Sequence, residues 1–235
     1  MLRARSRVGV PRRWRIGRWM LAAAACVIAL TVVLVLPMRW LDPPASAYML
    51  RQDAQTLQFW VDLEKISPQV AVAVLAAEDQ RFLEHHGFDF ASIREALDTA
   101  SAGGRLRGAS TISQQVARNL YLWPSRSLPR KLLEAWLTVW IELCWSKQRI
   151  LEVYLNVAEF SPGIYGAAAA SYFYFNRLPE RLTADQAALM AAALPNPARR
   201  QVGDPSQSLE QRRRELRAEM ERMGGVNALH GIHSR

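Results

Sequence analysis

Residues 20–38, MLAAAACVIALTVVLVLPM, run for 19 residues without a charge, and the 19 residues before them hold seven arginines and no acid. As an α-helix rising about 1.5 Å per residue, this run would be about 28 Å long, close to the hydrocarbon thickness of a bilayer. Trp14, Trp19 and Trp40 flank it, where amphipathic rings favour the membrane interface. The arginines are expected to stay cytoplasmic, which places everything C-terminal of the run outside. A cleaved signal peptide is the competing reading, with Ala45-Ser46-Ala47 resembling a cleavage site. That site is distant from the run, and the run exceeds the usual apolar core of about 7–15 residues. The chain is therefore expected to comprise a basic tail (1–19), a retained transmembrane helix (20–38), a membrane-proximal linker (39–60), a folded domain (61–225) and a short tail (226–235).

Charge supports this division. The chain carries a net +9, of which the first 19 residues contribute +7, leaving +2 for the rest. Nucleic acid binding needs a basic face on a folded domain, so this distribution argues against such a partner. Cys26 lies in the apolar run and Cys144 in the domain, so neither a disulfide framework nor a cysteine metal site is expected. The four histidines form no HExxH arrangement. Arginine outnumbers lysine 27 to 3, which makes the positions of Lys65, Lys131 and Lys147 informative.

Helical periodicity recurs through the domain while alternation is scarce, so the fold class is mainly α. Ser67-Pro68 reads as an N-cap with a proline at the first helical position, and Gly87 as a terminator. Thr111-x-x-Gln114 and Thr183-x-x-Gln186 carry the capping-box pattern. Residues 131–156 read as one long helix or two abutting near Ser146. Residues 207–223 mix arginine with glutamate and read as a solvated helix.

Two segments place carboxylates in apolar surroundings. In residues 71–90 seven apolar side chains lead into Glu78 and Asp79. A carboxylate so placed is partly desolvated, which raises its pKa and suits it to act as a base near neutrality. A continued helix would put Phe82 and His85 on the face of Glu78; a solvated turn is the plainer reading. Residues 130–147 set Glu134 and Glu142 among Leu, Trp, Val and Ile. The Trp136–Trp140 pair within them reads as core packing rather than a sugar platform.

Cations lie between and around these acids. Arg118, Arg126, Arg130 and Lys131 fall within fourteen residues, just after the capped start at Ser110-Thr111. Arginine forks and helix N-termini both bind phosphate oxygens, although a basic solvated surface has the same composition. The glycine-rich basic stretch 103–108 suits a mobile element over an anionic substrate as readily as an ordinary surface loop.

Together these segments resemble the glycosyltransferase family 51 domain of peptidoglycan synthases, in its monofunctional biosynthetic transglycosylase form. The first motif, Glu-Asp-x-x-Phe-x-x-His-x-Gly, is complete as Glu78, Asp79, Phe82, His85 and Gly87. The second runs from Gly108 through Ser110, Thr111, Ile112, Gln114 and Gln115 to Arg118 and Asn119. The third begins at Arg130-Lys131 and Glu134 and continues to Tyr154-Leu155-Asn156, and residues 165–197 match the closing segment. Arg118 stands where lysine is common, Ser161 where glycine is usual, and Tyr174 and Asn176 flank Phe175 where Phe-Gly is typical. Two of the three lysines fall on motif positions, which favours a site for a compact ammonium at Lys131.

The resemblance implies a lysozyme-like α domain that polymerises lipid-linked disaccharide-peptide (lipid II) into glycan strands with inversion. It implies Glu78 as general base and Glu134 as the second important carboxylate. Ser110, Gln115, Arg118, Arg126 and Lys131 would bind the pyrophosphate-bearing donor. Glu134 would orient the pyrophosphate, bind a divalent cation (Mg or Mn) or hold the cationic cluster; no other cofactor is implied. The partners implied are lipid II, the growing strand, the membrane and other cell-wall synthases. No lysine follows a serine by three residues and Lys-Thr-Gly is absent, so no penicillin-binding domain is expected. Two other readings fit parts of the pattern: an anchored lysozyme-like enzyme that cleaves peptidoglycan, and a non-catalytic assembly scaffold.

Overall fold

The computed structural model describes residues 12–52, 55–103, 110–125, 127–194 and 200–232. Helix α1 (Arg12–Val35) carries the apolar run and gives way to a 3-10 turn at Leu36–Arg39. The helix begins eight residues before the uncharged run because arginine is a good helix former: charge bounds the apolar slab, not the helix. It ends three residues before the run does, where Pro37 cannot continue the α-helical hydrogen bonding. Residues Ile16–Arg39 are long and apolar enough to cross a membrane.

The lower end of α1 is built into the domain. Val35 is fully buried, and its carbonyl accepts from Trp145 Nε1 at 2.9 Å. Arg149 donates to the carbonyls of Met38 (3.0 Å) and Leu41 (2.7 Å) and to Asp42 Oδ1 (3.0 Å). The following segment is more than a linker. Ala47 and Tyr48 donate to the carbonyls of Leu120 and Asn119, and Met49 is buried.

The domain is mainly helical, as its periodicity predicts. Helix α2 (Pro68–Glu78) is buried from Val70 to Ala76 and packs against α8 (Ala184–Ala193) and α9 (Gln207–Arg222). Helix α4 (Ile112–Tyr121) packs against α5 (Leu128–Cys144) and α6 (Lys147–Val157). Helices α3 (Phe90–Ser101) and α7 (Gly166–Phe175) complete the helical set among the described residues. A small sheet orders β1 (Leu57–Gln58), β3 (Ile164–Tyr165) and β2 (Glu159–Ser161), with β1 parallel and β2 antiparallel to the central β3.

Both capping boxes form, at Thr111/Gln114 and Thr183/Gln186. The long helical segment divides at Ser146, whose hydroxyl accepts from Arg149 N and starts α6. Ser67 departs from the capping expectation: its hydroxyl donates to Leu182 O at 2.9 Å instead of capping α2.

Candidate active site

The site forms where α2 runs out. The apolar residues of that helix are consumed by the core, and Glu78 is its last residue, carried out of the core into a cleft. A carboxylate at this end also faces the negative pole of the helix dipole. Gln115 Nε2, from α4, donates to Glu78 Oε2 at 2.8 Å, and Tyr154 Oη donates to Gln115 Oε1 at 3.4 Å. Burial pushes the Glu78 carboxyl above its ordinary range, with Asp79 adding slightly; the Gln115 bond and the cations of Arg118 and Arg212 pull it back. Burial and the nearby Glu78 raise the Tyr154 phenol well above its usual value, so it stays neutral.

Asp79 turns the chain sharply, so Phe82 and His85 do not share the helical face of Glu78. Helix α2 has already ended, and residues 79–87 fold back as turns. The cause is that Asp79 serves two partners. Its Oδ2 accepts from Ile112 N at 2.9 Å, anchoring the start of α4, and its Oδ1 lies 2.9 Å from His85 Nε2. Gly87 N donates to His85 Nδ1 at 3.2 Å, which leaves Nε2 as the protonated nitrogen that donates to Asp79. Gly87 O accepts from Thr111 Oγ1 at 2.7 Å. Gly87 terminates no helix. It has φ +88°, and a Cβ there would lie 2.8 Å from Thr138 Cγ2 and 3.0 Å from Glu142 Cγ.

Phe82 is buried beneath the Lys147 ammonium, 4.4 Å from its ring centroid. Lys147 also donates to Glu142 at 2.8 Å, and Ser113 donates to the same carboxylate. Glu142 therefore belongs to a buried clasp joining α4, α5 and α6 rather than to the cleft. Trp136 and Trp140 pack edge to face, and Trp136 Nε1 donates to Thr31 Oγ1 of α1 at 3.0 Å. Trp140 packs against the core as expected, while Trp136 lies against α1.

The remaining sequence candidates gather near Glu78. Ser110, Gln115 and Arg118 line a cleft of about 1060 Å³ with it. A second cleft of about 780 Å³ opens on the other side, lined by Asp89, Ser92, Glu95 and Thr99. Ala76, Ala77, Glu78, Gln80 and Ser110 line both, so Glu78 stands at their junction. Lys131 lines neither cleft; its ammonium lies 3.4 Å from Ser110 Oγ and ion-pairs with Glu134. Arg126 and most of the glycine-rich stretch (104–109) lie outside the described residues.

Glu134 is buried, with its two oxygens engaged by different cations: Oε2 by Arg130 Nη1 at 2.6 Å and Oε1 by Lys131. This donor set does not fit a divalent cation. The carboxylate is already neutralised by two positive groups, and no cluster of three His, Cys, Asp or Glu that could hold a metal exists among the described residues.

The α9 wall of the larger cleft was missed by sequence reasoning. Arg212, Glu215, Glu219 and Arg222 line it, so α9 is not simply solvated. The available signal was spacing: Leu209, Leu216 and Met220 are buried on one stripe, and Arg212 falls between the first two.

A profile described as Transglycosylase matches residues 46–221. The chain belongs to the transglycosylase family. Relatives support this along nearly the whole length. A biosynthetic peptidoglycan transglycosylase of Stutzerimonas stutzeri is 47% identical over 215 residues, covering 88% of this chain and 89% of the relative. Proteins of the same name from Shewanella oneidensis (44% identical; 90% and 94% covered) and Xanthomonas campestris (45%; 93% and 94%) are similar in extent. The transglycosylase match begins at Ser46, a buried residue eleven positions past the end of α1 and next to the Ala47 and Tyr48 amides that bond to α4.

Proposed function

We propose that Glu78 is the general base of a peptidoglycan glycosyltransferase acting in cell-wall synthesis, with lipid-linked disaccharide-peptide as its substrate. One sugar chain occupies each cleft, and their reacting ends meet at Glu78. The carboxylate removes the proton from the acceptor's 4-hydroxyl as that oxygen attacks the donor's anomeric carbon from the face opposite the leaving group. The new glycosidic bond forms with inversion as the bond to the lipid pyrophosphate breaks. The leaving group departs with its own negative charge, so it needs cations more than a proton donor.

Arg118 and Lys131 supply those cations, with Arg126 joining them on the basis of the motif. Glu134 holds Arg130 and Lys131 in register through its two oxygens. The observation that carries this reading is the desolvated Glu78, bonded to Gln115 at the junction of two clefts. A peptidoglycan-cleaving enzyme would have no pyrophosphate to neutralise, so the arginine-lined cleft disfavours it. Helix α1 acts as a membrane anchor with the seven-arginine tail cytoplasmic and the domain on the outer side. The deciding experiment is polymer formation from lipid-linked disaccharide-peptide by wild type and Glu78→Gln protein; equal turnover would overturn the assignment of the base.

A further inference from the structure

Arg212 occupies a helix position where an apolar residue is expected. The stripe that seats α9 against α2 and α8 is made by Leu209, Leu216 and Met220. Arg212 follows Leu209 by three residues and precedes Leu216 by four, so it lies on the same inward face. At this level the face meets no core. It looks across the cleft at the end of α2, and Arg212 lines that space with Glu78, Gln115 and Arg118. Packing of the leucines thus delivers a guanidinium to the wall opposite the carboxylate. Among the described residues its ion-pair partner is Glu215, at 3.4 Å and half exposed, a contact that uses one of five N–H donors.

We propose that Arg212 is a positioning residue for the transfer reaction, a second cation that shares the cleft with Arg118 and faces Glu78 from the α9 wall. The proposal rests on Glu78 being the base. Glu215 and Glu219 of α9 line the same cleft, and Arg81, Asp89 and Glu95 line the second, but three other charged groups bear on that carboxylate. Asp79, next in the chain, opposes ionisation, while Arg118 of α4 and Arg212 of α9 favour it. Tyr154 of α6 stands behind Gln115 and is neutral. Farther along the wall Arg222 is paired with Glu219, and Arg200 donates to Ala192 O at 2.6 Å while keeping its charge. Of the cleft cations, Arg118 and Arg212 are the two that act on the base. A base in an apolar setting needs such neighbours, because desolvation alone would leave it protonated where it must accept a proton.

The test uses full-length protein in detergent micelles, labelled with ¹³C at the glutamate carboxyls. The Glu78 resonance is the one lost in Glu78→Gln. Its titration is followed in wild type, Arg212→Gln and Arg212→Lys, alongside pH profiles of kcat/KM for polymerisation. In Arg212→Gln the Glu78 midpoint and the acid limb should both move to higher pH, and Arg212→Lys should restore most of the shift. Glu215→Gln removes the negative charge paired with Arg212 and keeps the guanidinium, so its Glu78 midpoint should move to lower pH. A Glu78 midpoint unmoved in folded Arg212→Gln overturns the proposal. So does a rise in KM with neither midpoint nor acid limb displaced, which would make Arg212 an anion-binding residue. A midpoint that moves while the acid limb stays fixed upholds the electrostatic coupling and overturns Glu78 as the base.

Discussion

Gln115 Nε2 donates to Glu78 Oε2 at 2.8 Å, so the second motif grips the carboxylate of the first through one hydrogen bond. Glutamine at position 78 keeps an acceptor for this bond but cannot take a proton near neutrality. Glu78→Gln should therefore lower polymerisation about 10²–10⁴-fold while substrate binding is retained. Single-turnover assays with binding measured separately would check this. A variant that turns over normally places the base elsewhere.

The same residue should oppose stability. The folded-state pKa of Glu78 is raised, chiefly by burial, so the folded protein holds a proton that the unfolded chain releases first. Stability from this group is then highest below the ordinary carboxylate range and falls as pH rises through the folded pKa. Glu78→Gln should melt higher than wild type at neutral pH, with the difference vanishing in acid. Thermal melts across pH would show no convergence if the carboxylate were fully solvated.

Glu134 and Lys131 should separate stability from activity. Glu134→Ala leaves Arg130 buried without its counter-charge and should cost about 3 kcal/mol or more of folding stability, together with activity. Lys131 is half exposed, so Lys131→Ala should fold nearly normally while losing on the order of 1.5–3 kcal/mol of transition-state stabilisation. Denaturant titrations paired with kinetics would distinguish the two. Equal effects of both variants would mean that the cluster acts only as a structural unit.

Gly87→Ala should be destabilising by at least about 1 kcal/mol, from the positive φ and the close approach to Thr138 and Glu142. Because Gly87 also holds His85 and Thr111, activity should fall with the fold. Recovery of both in a Gly87→Ala/Thr138→Ser double variant, which removes the clashing methyl, would identify the steric part of the cost.

Arg149→Ala should loosen the join between α1 and the domain, since three contacts to residues 38–42 pass through one guanidinium. Hydrogen exchange of the backbone amides at 40–48 should accelerate while α2 stays protected. Unchanged exchange would show that Trp145 and Val35 hold the join alone.

Much of this architecture was legible in residue order because it depends on local chemistry. Capping boxes, the break at Ser146 and the desolvated carboxylate after an apolar run each follow from a few neighbouring residues. What escaped the sequence depends on distant partners. Asp79 follows the end of α2 with its Oδ2 accepting from Ile112 N, thirty-three residues on. Glu142 looked like Glu134 until Ser113 and Lys147 came to lie against it. Arg212 read as one more charge on a charged helix, because spacing alone does not say which face meets a cleft.

The clamped join between α1 and α6 bears on how a polymerase can be processive. On the membrane reading, Trp145 and Arg149 hold the cleft at one height and one orientation above the lipid surface. For the glycosyltransferase proposed above, a mount of this kind fixes the cleft's height, so each added disaccharide slides the strand past it while lateral diffusion in the membrane delivers the next unit.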